Sequence, residues 1–350
     1  MSSPPPSTPR TPDLIAINAA LIAVRQAAQV VCDRATLLVM LHALAGASRY
    51  AEFSEQTGLA SRLLSARLAQ LTEDGLLVRI PYSRRPLRHA YHPTHMGGAL
   101  FDVFAALASW ERAWSEGASG HREVAILHHG CAVAPQASTT VRMMCASCHA
   151  FVTARDITLR VSHTDMAKMP RKSTTTRRAR QALESAGGDS TAPLPQGLAV
   201  LGDKWSIEVL VCAHFGIRQF SDFGTRLGIS TNILTDRLNR LLEEGLLRRA
   251  TDEEPHRKGL YLLTRKGLDF YPILIVIQSW ADAWIDHRVR SPVKLRHAAC
   301  QKVLEPLLVC AACGQPVGRE QAHLRIGQHH GTAAAVLTSP LASPPVQDGD

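Results

Sequence analysis

Residues 220–245 read FSDFGTRLGISTNILTDRLNRLLEEG, and the spacing of their apolar and polar side chains decides the fold. Gly228 marks a tight turn between two short helices, and Ser230 or Thr231 stands where the second helix would be capped. In that second helix Leu234, Leu238, Leu241 and Leu242 recur at three and four residues, the period of one buried face. Thr231, Asn232, Thr235, Asp236, Asn239 and Arg240 are thereby turned outward. A helix with small polar and basic side chains on its free face suits the DNA major groove, where such groups reach base edges and phosphates. An ordinary amphipathic hairpin in an all-helical core has the same leucine spacing, so the flanking sequence has to separate the two.

Downstream, LLRRATDEEPHRKGLYLLT has strand-like ends at Leu246–Arg249 and Leu260–Leu263 around a polar tip, the pattern of a small β-wing. From Thr264 the chain returns to a helix, TRKGLDFYPILIVIQSWADAW, with more apolar surface than one small domain covers. Helix, helix-turn-helix, wing and long helix is the order of a winged helix-turn-helix domain. The motifs Gly202-x-Lys204-Trp205, Phe220-Ser221-x-Phe223, Asp236-Arg237-Leu238-x-x-Leu241-x-x-x-Gly245-Leu246 and Leu263-Thr264-x-x-Gly267 resemble those of the HxlR-type winged helix-turn-helix transcriptional regulators. The resemblance runs from about Leu194 to His287. It implies a DNA-binding regulator that pairs through its terminal helices. Many members of that family carry a sensing Cys just before the first helix; Ala192 stands near that place here, which removes thiol sensing at this position.

The first half of the chain repeats the second at a constant offset of 170 residues. Asp33 aligns with Asp203, Gly58 with Gly228, Arg67 with Arg237, Gly75 with Gly245, Tyr91 with Tyr261, and Trp110 and Trp114 with Trp280 and Trp284. Shared turn glycines, core leucines and tryptophans over some eighty residues indicate an internal duplication. Ala35 replaces Trp205 in the first copy. The expected fold is therefore mainly α, two winged helix-turn-helix domains in tandem, each with a small wing and a following zinc-ribbon-like hairpin. The domain limits read as a disordered tail 1–12, winged helix 13–117, ribbon 121–161, linker 162–192, winged helix 193–288, ribbon 292–331 and tail 332–350.

The expected partner is double-stranded DNA. In the first copy Ser61, Arg62 and Ser65 occupy the outer face of the reading helix with Arg67 at its boundary, and Arg79, Arg84, Arg85 and Arg88 make a basic wing able to lie along phosphates. In the second copy Thr231, Asn232, Thr235 and Arg237 take the helix positions and Arg257 and Lys258 the wing, where Asp252, Glu253 and Glu254 oppose them. The long helices Leu100–Trp114 and Phe270–Trp284 are expected to pair, either within the chain as a pseudo-dimer or between two chains as a homodimer.

Length and composition agree. The chain of 350 residues exceeds one typical domain, and its 45% hydrophobic content supports packed cores. A net charge of +9 suits a polyanionic partner. The Pro/Ser-rich start has no charged-then-apolar leader, and no apolar run reaches the length of a bilayer span, which predicts a cytoplasmic protein with no membrane contact. Between the copies, Arg171, Lys172, Arg177, Arg178 and Arg180 give the linker a basic cluster.

In a reducing compartment eight cysteines are free thiols or metal ligands rather than disulfides. Six of them fall into two repeated sets: His128-x-x-Cys131 followed by Cys145-x-x-Cys148, and His297-x-x-Cys300 followed by Cys310-x-x-Cys313. Each set of three thiolates and one imidazole, closed by a short hairpin, suits one structural zinc ion, so about two zinc ions per chain are expected. His129 and His149 compete with His128 on position alone. Cys32 and Cys212 read as core thiols. His121-x-Glu123 ahead of Cys145-x-x-Cys148 echoes zinc deaminases, but Met144 replaces the proline of that pattern and a fourth ligand at Cys131 closes the open position that catalysis requires. No enzyme activity is expected. A protein-interaction module built on winged helices is the remaining alternative to a DNA-reading regulator.

Overall fold

The computed structural model describes residues 14–115, 122–133, 137–161, 192–251, 259–285 and 293–328. The expected tails, the linker with its basic cluster, the acidic tip of the second hairpin with Arg257 and Lys258, and His121 lie outside these residues.

The first copy contains α1 (Leu14–Val31), α2 (Arg34–Leu44), α3 (Tyr50–Thr57), α4 (Ser61–Glu73), the hairpin β1 (Leu77–Arg84) and β2 (Leu87–Pro93), the single turn α5 (His95–Gly98) and α6 (Phe101–Trp114). After it come β3 (Arg122–His128), β4 (Ser138–Thr139), β5 (Val141–Cys145) and β6 (Ile157–Val161). The second copy repeats the order as α7 (Pro195–Leu201), α8 (Lys204–His214), α9 (Phe220–Leu227), α10 (Thr231–Glu243), β7 (Leu247–Arg249), β8 (Tyr261–Leu263), α11 (Arg265–Asp269) and α12 (Tyr271–Trp284), then β9 (Val293–His297), β10 (Pro306–Cys310) and β11 (Ala322–Gln328).

Local sequence accounts for the helix boundaries. Asp33 caps α2 by accepting the Thr36 N–H at 2.9 Å, and Asp203 caps α8 through the N–H groups of Trp205 and Ser206. Gly58 and Gly228 end α3 and α9 with φ of 65° and 63°, the left-handed conformation that lets the chain turn sharply into the helix that follows, α4 or α10. Ser230 occupies the N-cap of α10 but its side chain makes no capping hydrogen bond. Leu64, Leu68 and Leu71 of α4 and Leu234, Leu238 and Leu241 of α10 are buried as their spacing requires.

The two copies are not beads on a string. α1 leaves its own copy and packs on α8 and α12 of the other, while α7 packs on α2 and α6 of the first copy as well as on α8. Each crossing is pinned by charge: the Arg25 guanidinium meets Glu208 at 2.7 Å, and the buried Glu111 accepts the Gln196 and Gly197 N–H groups at 3.1 and 2.7 Å. α6 and α12 pack together, and Trp110 Nε1 donates to the Lys266 carbonyl at 3.1 Å while Trp280 Nε1 donates to the Met96 carbonyl at 3.0 Å. These two bonds are the same bond seen from either copy, because Met96 aligns with Lys266. An approximate two-fold axis therefore runs between the copies. Asp33 and Asp203 pair across it as an isolated bridge, and a Cβ on Gly202 would come within 2.9 Å of the Arg34 backbone there. The pairing of long helices within one chain is thus realised.

The exchange extends to the strands and overturns one expectation. β5 pairs with β10, β6 with β9, and β3 with β11 on one side and β4 on the other. The first pair is centred on Met143 opposite Leu308, so Val141 faces Cys310 and Cys145 faces Pro306. The expected local ribbons, each joining its own two knuckles, do not form. A seven-residue ladder from Arg122–Gln328 to His128–Ala322 carries the first His-x-x-Cys turn to the other copy's second knuckle. Longer inter-copy ladders satisfy more backbone groups than the two-residue β3–β4 contact allows within one copy. Among the described residues no helix is long and apolar enough to cross a membrane.

Candidate nucleic-acid interface and metal clusters

On α4, Ser61, Arg62 and Ser65 are exposed, as are Thr231, Asn232 and Thr235 at the matching positions of α10. The Tyr50 hydroxyl donates to the Ser61 carbonyl at 3.1 Å and Ser65 Oγ lies 3.4 Å from it, so α3 steadies the start of the first reading helix. Arg67 and Arg237 are placed differently from the other helix residues. Arg67 Nε lies 2.8 Å from Asp33, and Arg237 Nε lies 2.5 Å from Asp203 while its Nη1 meets Asp236. Each guanidinium turns inward and ties its reading helix to the capping aspartate on the axis. Asp33 and Asp203 have this role because the cap needs a short carboxylate and the cap sits at the crossing.

In the first hairpin Arg84, Arg85 and Arg88 are exposed around the turn, and an Arg79 guanidinium nitrogen lies 3.1 Å from His89 Nδ1. Val78, Ile80, Tyr82 and Leu87 are also exposed there, and the Arg49 guanidinium sits 4.9 Å over the Tyr82 ring. In the second copy, sequence reasoning put the basic groups at the tip and passed over Arg218, Arg248 and Arg249, all exposed beside the helix-turn-helix. Arg249 donates to the Tyr261 hydroxyl at 3.2 Å. Their signal was present as basic residues at a helix entrance and on a strand, weaker than a run of four arginines.

The eight metal-ligand candidates gather into two clusters, but not by copy. His128 and Cys131 join Cys310 and Cys313, while Cys145 and Cys148 join His297 and Cys300; in each cluster the donor atoms lie within 4.8 Å of one another. Separations inside them suit a tetrahedral ion: 3.9 Å between the Cys145 and Cys300 sulfurs, 3.5 Å from Cys300 and from Cys313 to the imidazole Nδ1 of His297 and His128. Cys148 lies 3.1 Å from His297 Nδ1. His128 is therefore the histidine in the first cluster. His129 Nε2 instead faces His323 Nδ1 at 2.7 Å, and His149 takes φ of 58° to close the turn after Cys148.

The clusters favour thiolates unevenly. A hydrogen bond from the Lys302 N–H and one from His297 outweigh burial and bring Cys300 down to about 7. Burial pushes Cys310 up, but Thr139, two backbone N–H groups and His128 more than offset it, leaving the thiol at about 6. Cys148 and Cys313 move the other way. The Ala150 and Gln315 N–H groups favour their thiolates, yet burial and the neighbouring sulfurs hold the protons on. Several thiolates packed this closely repel one another unless a cation sits among them, and three sulfurs with one imidazole fit zinc. By contrast Cys212 is fully buried and raised to about 12, a core thiol as expected, while Cys32, which burial likewise raises, is partly buried and packs against the core.

The sequence pattern of the HxlR-like helix-turn-helix family matches residues 30–119 and again 200–289. An uncharacterised HTH-type transcriptional regulator of Mycobacterium tuberculosis is 34% identical over 122 residues, which cover 35% of this chain and 77% of that protein. Uncharacterised HTH-type regulators of Bacillus subtilis and Methanocaldococcus jannaschii are 33% and 30% identical over 88 and 95 residues, covering 82% and 83% of their own lengths and 25% and 26% of this chain. Two matched regions, with their helices and hairpins in the same order, show that the chain belongs to the HxlR-like helix-turn-helix family and carries its domain twice.

Proposed function

We propose that the chain is a sequence-specific transcriptional regulator of the cytoplasm that inserts α4 and α10 into the major groove of double-stranded DNA. The observation that carries this reading is the matched pair of exposed polar faces, Ser61, Arg62 and Ser65 on one helix and Thr231, Asn232 and Thr235 on the other, each over a buried leucine stripe. The hairpins act as wings. Arg79, Arg84, Arg85 and Arg88 grip phosphates beside the first helix, and Arg248 and Arg249, with Arg257 and Lys258 of the tip, do so beside the second. Arg67 and Arg237 hold the helices rather than the DNA. Zinc in the two clusters is structural: four protein donors leave no position for a substrate or a reactive water, which argues against catalysis.

Binding-site selection followed by titration tests this. Arg62→Ala or Asn232→Ala should cost ~1–3 kcal/mol at one base step and relax preference there. Arg84→Ala should weaken all sequences alike and lower the salt slope by about one. Equal, sequence-independent weakening by all three would leave the helices outside the groove and favour a protein-interaction module.

A further inference from the structure

We infer that a single chain reads a single asymmetric operator, its two copies taking the places of two unlike subunits, with the first copy gripping its half-site more strongly. The inference rests on the DNA reading proposed above and adds the form of the partner and the stoichiometry.

The surfaces that would join two chains are already used inside one. α6 lies against α12, the Trp110 and Trp280 indoles donate across the axis, and α1 and α7 each pack on helices of the opposite copy. The β5–β10 ladder joins the two copies as well. Both reading helices are tied to that axis in the same way, through Arg67 to Asp33 and through Arg237 to Asp203, and the two aspartates bridge each other. The separation of α4 and α10 is therefore a property of one chain, independent of its concentration. Two helices related by such an axis read half-sites about one helical turn, ~34–36 Å, or a multiple of it apart.

The halves are not chemically equal. Ser61, Arg62, Ala66, Ala69 and Gln70 stand where the second copy has Thr231, Asn232, Asp236, Asn239 and Arg240. Arginine at the second helical position offers a bidentate donor pair that suits guanine, whereas asparagine suits adenine. The first hairpin carries four arginines and no acidic residue between Val78 and Pro93, while in the second Arg248, Arg249, Arg257 and Lys258 are offset by Asp252, Glu253 and Glu254. Neutralised phosphates set the electrostatic share of affinity, so the first half-site should dominate both binding and salt dependence. An operator with two different halves has a direction, which a symmetric dimer cannot read.

The test uses the full chain. Operators are selected from random duplexes with the wild type and with the triple variant Thr231→Ser, Asn232→Arg and Thr235→Ser, which copies the first turn of the first reading face, with its arginine, onto the second; sedimentation gives chains per duplex. Wild type should select two dissimilar halves in fixed order with one chain per duplex. Arg84→Ala with Arg88→Ala should weaken binding at least ten-fold more than Arg248→Ala with Arg249→Ala, and equal losses would overturn the stronger grip of the first copy. The triple variant should shift the selected site towards an inverted repeat of the first half. Two chains on a symmetric site for the wild type would overturn the inference while leaving DNA reading intact, and that measurement stands even if the variant fails to fold. A variant that folds, as shown by an unchanged melting temperature, yet selects the wild-type site would also overturn it. Absence of any enriched sequence would remove the DNA reading itself, and the inference with it.

Discussion

Cys131→Ser combined with Cys313→Ser separates exchanged metal clusters from local ones by counting ions. In the structure Cys131 and Cys313 share a cluster with His128 and Cys310, although 182 positions separate them in sequence. The double variant damages one site and leaves Cys145, Cys148, His297 and Cys300 whole, so metal content falls from two ions to one. Local ribbons would place the two residues in different sites, and the same variant would lose both. Cys131→Ser with Cys145→Ser reverses the outcome: no intact cluster remains here, whereas local ribbons would keep one. The energies make the count readable. Structural zinc sites hold their ion by roughly 10–16 kcal/mol, so an intact cluster survives purification, while loss of a thiolate donor leaves a site that a chelator empties. Elemental analysis after mild chelation gives the count, and cobalt substitution reports three sulfur donors in whichever cluster survives. No metal in the Cys131/Cys313 variant and one ion in the Cys131/Cys145 variant would refute the exchange, and with it the strand pairing that creates it.

Burial pushes the Asp102 carboxyl up from 3.8 to about 6, so the folded state binds its proton more tightly than the unfolded state. The Asp102 contribution to stability is therefore largest below about pH 4, falls between pH 4 and 6 and levels off above, with up to ~3 kcal/mol lost; Asp102→Asn should remove that contribution's pH dependence and raise the melting temperature at pH 7, as measured by calorimetry against the wild type. Glu111→Ala leaves the buried Gly197 N–H and the Gln196 N–H without an acceptor and should cost ~2–4 kcal/mol in urea unfolding at pH 7. A loss below ~1 kcal/mol would mean that α7 is held by its apolar contacts alone. Arg237→Ala frees the buried Asp203 carboxylate and should destabilise the chain by ~1–3 kcal/mol, whereas Asn232→Ala on the exposed face should leave the melting temperature within experimental scatter.

The leucine period of residues 231–242, the turn glycines and the constant offset of 170 between the halves were enough to specify two helix-turn-helix units, because those features act within a few turns of chain. The same holds for the identity of the metal donors: His-x-x-Cys and Cys-x-x-Cys turns are local knuckles, and all eight residues do gather around two centres. Which knuckle meets which was not legible. Residues 128–131 have one chemically suitable partner 14 positions away and another nearly 180 away, and spacing favours the nearer one. The choice falls to the farther one because β3 finds seven ladder partners in β11 but two in β4. Arg67 and Arg237 illustrate the same limit at one side chain. The sequence put Arg67 at the boundary of the outward face and Arg237 among the DNA-facing positions, but a capping carboxylate from a distant segment lies within ion-pair reach and turns both inward. Sequence by itself determined what each element is and which chemistry it carries, since those depend on neighbours along the chain; tertiary structure alone decided what each element pairs with, since that depends on surfaces brought together by folding.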